Sequence, residues 1–257
     1  MCIRDSGYTD VPFSSIRKIF NELPNAEVIL TFAVDWLTHF VNDSPSFTST
    51  LESLELAHRQ ELLVQLRVQH SSDWRAQIQH LLHQHFFECS GADCYTPFFI
   101  HSVESNRAYW LLHFSKHSTA RDAMMELHWG MQNHFEHFGS GGFGMLGHDP
   151  RKSTSENQAR FKFDQDAKEA TSQALLEELP KRLSVHGGFI PYRQFFDLNV
   201  NDTPATKEMI AEAIGRLTKE RELEVFSKHK KERSPGVKLL DSDLIRTPQT
   251  SFFPTWR

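Results

Sequence analysis

Lys228, Lys230, Lys231 and Arg233 crowd together ahead of Ser234-Pro235-Gly236, and Lys238 follows that turn. A turn of this charge can neutralise backbone phosphates without reading bases, because phosphate contact needs only cations within reach. The same composition also suits a solvated turn that simply carries lysines. Arg216 and Lys219, a few residues upstream, extend the candidate nucleic-acid-binding set.

His80, His83 and His85, with Cys89 and Cys94, read H-x2-H-x-H-x3-C-x4-C. Zinc needs ligands that converge tetrahedrally. On one helix His80 and His83 share a face and His85 stands apart from His80, so we expect ordinary helix and loop residues and no metal. His113, His117 and His128 flank a strand and a helix and read as packing residues. No Ser-His-Asp order can be built from them.

The basic turn needs elements to hold it. TSQALLEELPKRL reads as a helix and GGFIPYRQFFDLN as a short second one. TPATKEMIAEAIGRLTKE reads as a third, with Thr203 as N-cap and Pro204 at its first position. Its inward stripe is Ile210, Ala213, Ile214 and Leu217. Its outward face carries Glu208, Glu212, Gly215, Arg216 and Lys219, and two glutamates near the N-terminal end argue against sequence-specific base reading. ELEVFSKHKKERSPGVKLL reads as two strands around the basic turn. Three helices and a hairpin in this order make a winged helix-turn-helix, a module that docks on nucleic acid or on a partner protein.

Upstream, Pro12 suits the first turn of a helix FSSIRKIFNEL marked by Phe13, Ile16, Ile19, Phe20 and Leu23. AEVILTFA is a continuous apolar run of the kind found in a buried parallel strand. DWLTHFV reads as a short helix, 42–53 as a mobile polar insertion, and Leu54 to Gln69 as a helix. WRAQIQHLLHQHFFE follows, with Trp74, Ile78, Leu81, Leu82 and His85 on one side. PFFIHSV and RAYWLLHFS read as strands around a turn at Asn106. A helix over Ser118 to Met131 aligns Ala120, Met124, Leu127 and Met131.

Composition bounds the classes. The chain has 257 residues, 39% hydrophobic and 24% charged, with 21 Phe, which fits a globular protein with aromatic packing. Its apolar runs are too short to span a bilayer, no secretory signal is legible, and three cysteines fit a reducing cytoplasm. Residues 1–150 hold 9 Lys+Arg against 17 Asp+Glu, net −8, and residues 151–257 hold 19 against 16, net +3. Attraction to a polyanion must therefore come from the C-terminal part.

GYTDVPFSSIRKIFNELPNAEVILTFAVDWL and RAYWLLHFSKHSTARDAMMELHW resemble two signature stretches of the three-Cys-motif partner (TcmP) proteins, a family of bacteria and phage-related loci. The C-terminal part resembles a GMT-like winged helix-turn-helix domain. The resemblance implies an α/β fold: the C-terminal part of a Rossmann-like, class I methyltransferase-like domain, followed by the winged helix. It also implies a three-Cys-motif protein as partner, with DNA as a further partner through the wing, and S-adenosylmethionine as cofactor of an intact family member. The glycine-rich loop that would meet that cofactor has no counterpart, so no cofactor is expected on these residues and enzymatic activity is left open. Met1 to Ser6 resembles a translated sequencing-adapter remnant, and the chain reads as N-terminally truncated. Only Gly7 and Tyr8 match the family's Asp-Pro-Phe-Gly-Tyr segment. Tyr8 and Asp10 are the nearest candidates for a catalytic edge; a surface ring and a residue leading into a helix are the plainer alternatives.

The expected division is 1–6 leader, 7–131 methyltransferase-like domain, 132–169 Gly-rich polar linker, 170–248 winged helix and 249–257 aromatic tail. A non-catalytic binding module on a structural Rossmann-like part is the alternative function.

Overall fold

The computed structural model describes residues 11–32, 45–68, 74–101, 108–131, 136–138 and 160–248. The glycine-rich stretch 139–147, the aromatic tail, the helix expected at 35–41, and Tyr8 and Asp10 lie outside them.

In the N-terminal part, α1 (Phe13–Glu22) leads into β1 (Glu27–Phe32), and α2 (Pro45–Ser53), a 3-10 turn (Ala57–Arg59), α3 (Gln60–Val68) and α4 (Trp74–Ser90) follow. Then come β2 (Cys94–His101), β3 (Ala108–Ser115) and α5 (Ser118–Met131), with short strands β4 (Glu136–Phe138) and β5 (Arg160–Lys162). The five strands are ordered β1-β3-β2-β4-β5. β3 is antiparallel to both β1 and β2. β1 and β2 are therefore mutually parallel, joined by a helical crossover, with β3 returning between them.

The expected buried parallel strand at AEVILTFA is instead an edge strand with an antiparallel neighbour. Its burial alternates, with Leu30 and Phe32 inward and Ile29 55% exposed, because an edge strand covered on one face buries every second residue. Phe13, Ile16 and Phe20 of α1 and Ile78, Leu82 and Phe86 of α4 cover that face, meeting Tyr95, Trp110, Leu112 and Phe114. Leu23, expected in the α1 stripe, is exposed.

The expected helix over Leu54–Gln69 is broken, and 45–53 inside the expected insertion is helical. α2 ends in a Schellman motif, with Leu56 N–H donating to Leu51 O and Glu55 N–H to Glu52 O. Glu55 takes the left-handed position that usually holds glycine, at φ 59°. Arg17 offsets that strain by donating to both Glu55 carboxylate oxygens at 2.8 Å and to Cys89 O at 2.9 Å. The hydrogen bond to Arg17 holds the Glu55 carboxyl below its ordinary range.

The stripe expected on α5 is displaced by one position. Leu127 and Met131 are exposed, whereas Ser118, Arg121, Met125 and His128 are buried. α5 lies between the sheet and the C-terminal part, where the Arg121 guanidinium donates to Thr203 O.

The C-terminal part begins with α6 (Gln165–Val185), capped by Asp164, whose carboxylate accepts from Ala167 N–H at 2.9 Å. This start, like β4 and β5, falls inside the expected linker. β6 (Ile190–Pro191), α7 (Tyr192–Asn199), a 3-10 turn (Val200–Asp202) and α8 (Lys207–Lys219) follow, then β7 (Glu224–Phe226) and β8 (Leu244–Arg246). β8 pairs antiparallel with both β6 and β7. Three helices and a three-stranded sheet with one long loop make a winged helix. The return strand is Leu244–Arg246 and not VKLL, so the wing is longer than expected. The N-cap of α8 is Thr206, accepting from Met209 N–H at 3.2 Å, rather than Thr203. The predicted stripe Ile210, Ala213, Ile214 and Leu217 is buried, against Leu175, Leu179 and Leu183 of α6 and Phe195 and Phe196 of α7.

Two buried histidines give the fold a pH dependence. His85 Nε2–H donates to Leu54 O at 2.9 Å and His113 Nε2–H to Glu27 Oε2 at 3.1 Å. Burial holds both below the ordinary 6.5, against the opposing pull of those bonds. Below about 6.5 the unfolded chain then binds more protons than the folded one, so stability falls as pH drops from 6.5 towards the lowered folded values. Urea unfolding from pH 7.5 to 5.5 should show that decline, and His113→Gln should flatten it. An unchanged slope in the variant would remove His113 from the account.

Candidate nucleic-acid interface

The wing, residues 227–243, is built on three supports. Ser227 N–H donates to Lys231 O and Lys230 N–H to Ser227 O, each at 2.8 Å, closing a tight turn with Lys230 at φ 60°. Arg233 forms an ion pair with Asp243, which is 1% exposed and whose carboxylate also accepts from Leu240 N–H at 2.8 Å. At the base, the Arg246 guanidinium lies 4.4 Å from the Phe189 ring centre and 5.1 Å from that of Phe226, and bonds Glu224 at 2.7 Å.

These supports sort the candidate residues. Lys228, Lys231 and Lys238 are exposed on the wing. Lys230 is exposed too, its ammonium 5.7 Å from the Phe189 ring centre. Arg233 is turned inward to Asp243 and holds the wing's shape. Arg216 and Lys219 are exposed on α8, and Arg216 borders an open cavity of about 560 Å³ between α6 and α8, shared with Glu177, Lys181, Glu220 and Glu222. Glu208 and Glu212 are exposed on the same helix. Of the six exposed candidate cations, four therefore sit on the wing.

The N-terminal end of α8 is differently occupied. Lys207 N–H donates to Asp122 Oδ1 of α5 at 2.8 Å. The Lys207 ammonium pairs with Asp241 at 2.6 Å. Tyr192 O–H donates to Lys207 O. Burial pushes the Asp122 carboxyl up, and the Lys207 N–H bond opposes it.

The described histidine and cysteine candidates do not converge; the side chain of His80 lies outside the described residues. His83 Nδ1 is 2.7 Å from Tyr95 Oη and its ring stacks on Trp110. His85 faces Leu54 O and lies 3.5 Å from Cys89 Sγ. Cys94 packs with the winged-helix core, and burial pushes its thiol up to about 11. Among the described residues no group of three or more His, Cys, Asp or Glu could hold a metal ion. His113 and His128 are buried as packing residues, and His117 is exposed, bonded to Asn25.

Sequence reasoning missed Arg121 and Asp122. Their polarity did not set them apart, because Ser118, Thr119, Glu126 and His128 of the same helix are polar too.

Helix order, sheet pairing and wing define a winged helix-turn-helix. A family model, the GMT-like wHTH domain, matches residues 147–230, which span α6 to β7 and the first part of the wing. Comparison with curated proteins and with solved structures finds no match. Among the described residues no helix is long and apolar enough to cross a membrane.

Proposed function

We propose that the winged helix contacts nucleic acid through backbone phosphates, using Lys228, Lys230, Lys231 and Lys238 of its wing. The observation that carries this reading is the exposure of four lysines on a loop held by the pairing of half-buried Arg233 with buried Asp243. Point cations on a preformed loop meet phosphates with little ordering cost and carry no base information.

The α/β part is, in this reading, the closing portion of a methyltransferase-like domain, and the chain acts with a three-Cys-motif protein as TcmP-like proteins do. The parallel pair β1 and β2 with β3 between them supports that reading, as do the signature stretches. S-adenosylmethionine does not fit the described residues. Gly91, Gly187 and Gly188 follow helices, Gly130 and Gly215 lie within helices, and Gly236 is on the wing, so none stands between a strand and the helix it feeds. A non-catalytic role for the α/β part as a platform for the winged helix is the second reading, favoured by the bonds that tie α5 to the start of α8.

Duplex binding measured against salt tests the wing. Log K should fall linearly with log salt, and reversing the four lysines to glutamate should reduce the slope by roughly 3 to 4, at about 0.9 per phosphate contact. An unchanged slope would refute phosphate contact by the wing.

A further inference from the structure

A helix-turn-helix that reads DNA places the N-terminal residues of its recognition helix against base edges in the major groove. In this chain that helix is α8, and the turn that leads into it is not presented to solvent, although Glu208 and Glu212 on the outward face of the helix are exposed. Thr203 and Ala205 are fully buried and Thr206 is 6% exposed.

The cover comes from the α/β part, contact by contact. Asn201, in the turn, accepts from Tyr95 N–H at 3.0 Å and donates to Asp93 O at 2.9 Å. One amide side chain thus takes the place of a neighbouring strand beside the start of β2. From α5, the Arg121 guanidinium donates to Thr203 O, Trp129 Nε1–H to Pro204 O at 2.8 Å, and Asp122 accepts Lys207 N–H at 2.8 Å. Ser118 hydroxyl donates to Asp197, and Arg193 donates to Ser118 at 2.8 Å.

The pattern is specific to the turn. Three backbone groups of the turn and the helix start, Thr203 O, Pro204 O and Lys207 N–H, each have a partner from a single helix. Arg121 is 0% exposed and its buried guanidinium donates a hydrogen bond to Thr203 O, so losing that acceptor would be costly. The exposed acidic residues Glu208 and Glu212 next to this seam would repel a phosphate backbone brought to it.

We propose that the helix-turn-helix turn is an intramolecular docking surface whose partner is the β2–α5 face of the same chain, so that duplex contact is left to the wing. The last clause rests on the phosphate-contact reading above; the docking does not.

Hydrogen exchange on the full chain, followed by mass spectrometry, tests both separately. Without nucleic acid, residues 201–207 should exchange slowly. The double variant Asn201→Ala with Asp122→Ala should raise their exchange roughly tenfold or more, while 209–217 stays protected, which separates release of the seam from unfolding. Trp129→Phe keeps the ring, removes the donor to Pro204, and should give a smaller rise in the same segment. A double variant with unchanged exchange at 201–207 would overturn the docking. Adding a 20-base-pair duplex to the wild type should slow exchange at 227–238 and leave 201–212 unaltered. New protection across 203–212 would overturn the inference, because the turn would then be meeting DNA. Protection at neither segment would refute the phosphate-contact reading alone, and the variant result would still decide the docking.

Discussion

Phe86→Ala should cost the α/β part about 3–5 kcal/mol, the range for removing a fully buried aromatic ring. Phe86 is 0% exposed and stands at the centre of an aromatic cluster. Its ring stacks on Phe13 with centroids 5.2 Å apart and meets Phe32 edge-on at 4.9 Å. It therefore ties α1, β1 and α4 together, and each neighbour is itself held by another element: Phe13 meets Phe114 of β3, and Phe32 meets Trp110. A cavity there cannot close by one side chain moving, since rings have few rotamers and these are fixed on three sides. Against a typical stability of about 5–15 kcal/mol, the loss should be visible as an earlier urea midpoint. A change below about 1 kcal/mol would mean that the cluster recloses over the gap.

Asp243→Ala should have the second largest effect, about 3 kcal/mol, at the low end for breaking a buried ion pair because Arg233 is partly exposed. Asp243 fixes the wing at both its ends. Its carboxylate binds Arg233 and Leu240 N–H, and its carbonyl accepts from Tyr192 N–H at 2.8 Å, at the start of α7. Alanine keeps the backbone bond and loses both carboxylate bonds, leaving the Arg233 charge without its partner. Amide exchange across 227–243 should rise and duplex affinity should fall, although no phosphate-contacting lysine has been touched. Asp243→Asn retains an acceptor for Leu240 N–H and should lie between. Equal affinity in all three proteins would show that the lysines need no preformed wing.

Much of the winged helix was legible because its signals are local. Ile210, Ala213, Ile214 and Leu217 recur at helical spacing, and any partner for that stripe would bury them. The basic turn was legible for the same reason: lysines that find no acceptor stay on the surface. Boundaries were less so. Thr203 and Thr206 are both acceptable caps three residues apart, and the choice went to Thr206 because the Thr203 hydroxyl serves Ala205 N–H and its carbonyl serves Arg121. The wing's return strand was misplaced because Val237 and Leu240 look like strand residues, yet both are exposed.

The sequence by itself determined the order of helices and hairpin, the inward stripe of α8 and the place of the free positive charge, since periodicity, capping and charge act within a few residues. Only the tertiary structure decided that AEVILTFA would be a half-exposed edge strand, that α5 would bury Arg121 and His128 in place of its apolar stripe, and that Arg233 would support the wing rather than face outward. It also decided that the turn leading into α8 would be covered. Each of these depends on which group lies opposite, a carbonyl at Thr203 for Arg121 or a carboxylate at Asp243 for Arg233, and neighbours in sequence carry no record of partners 10 to 82 residues away.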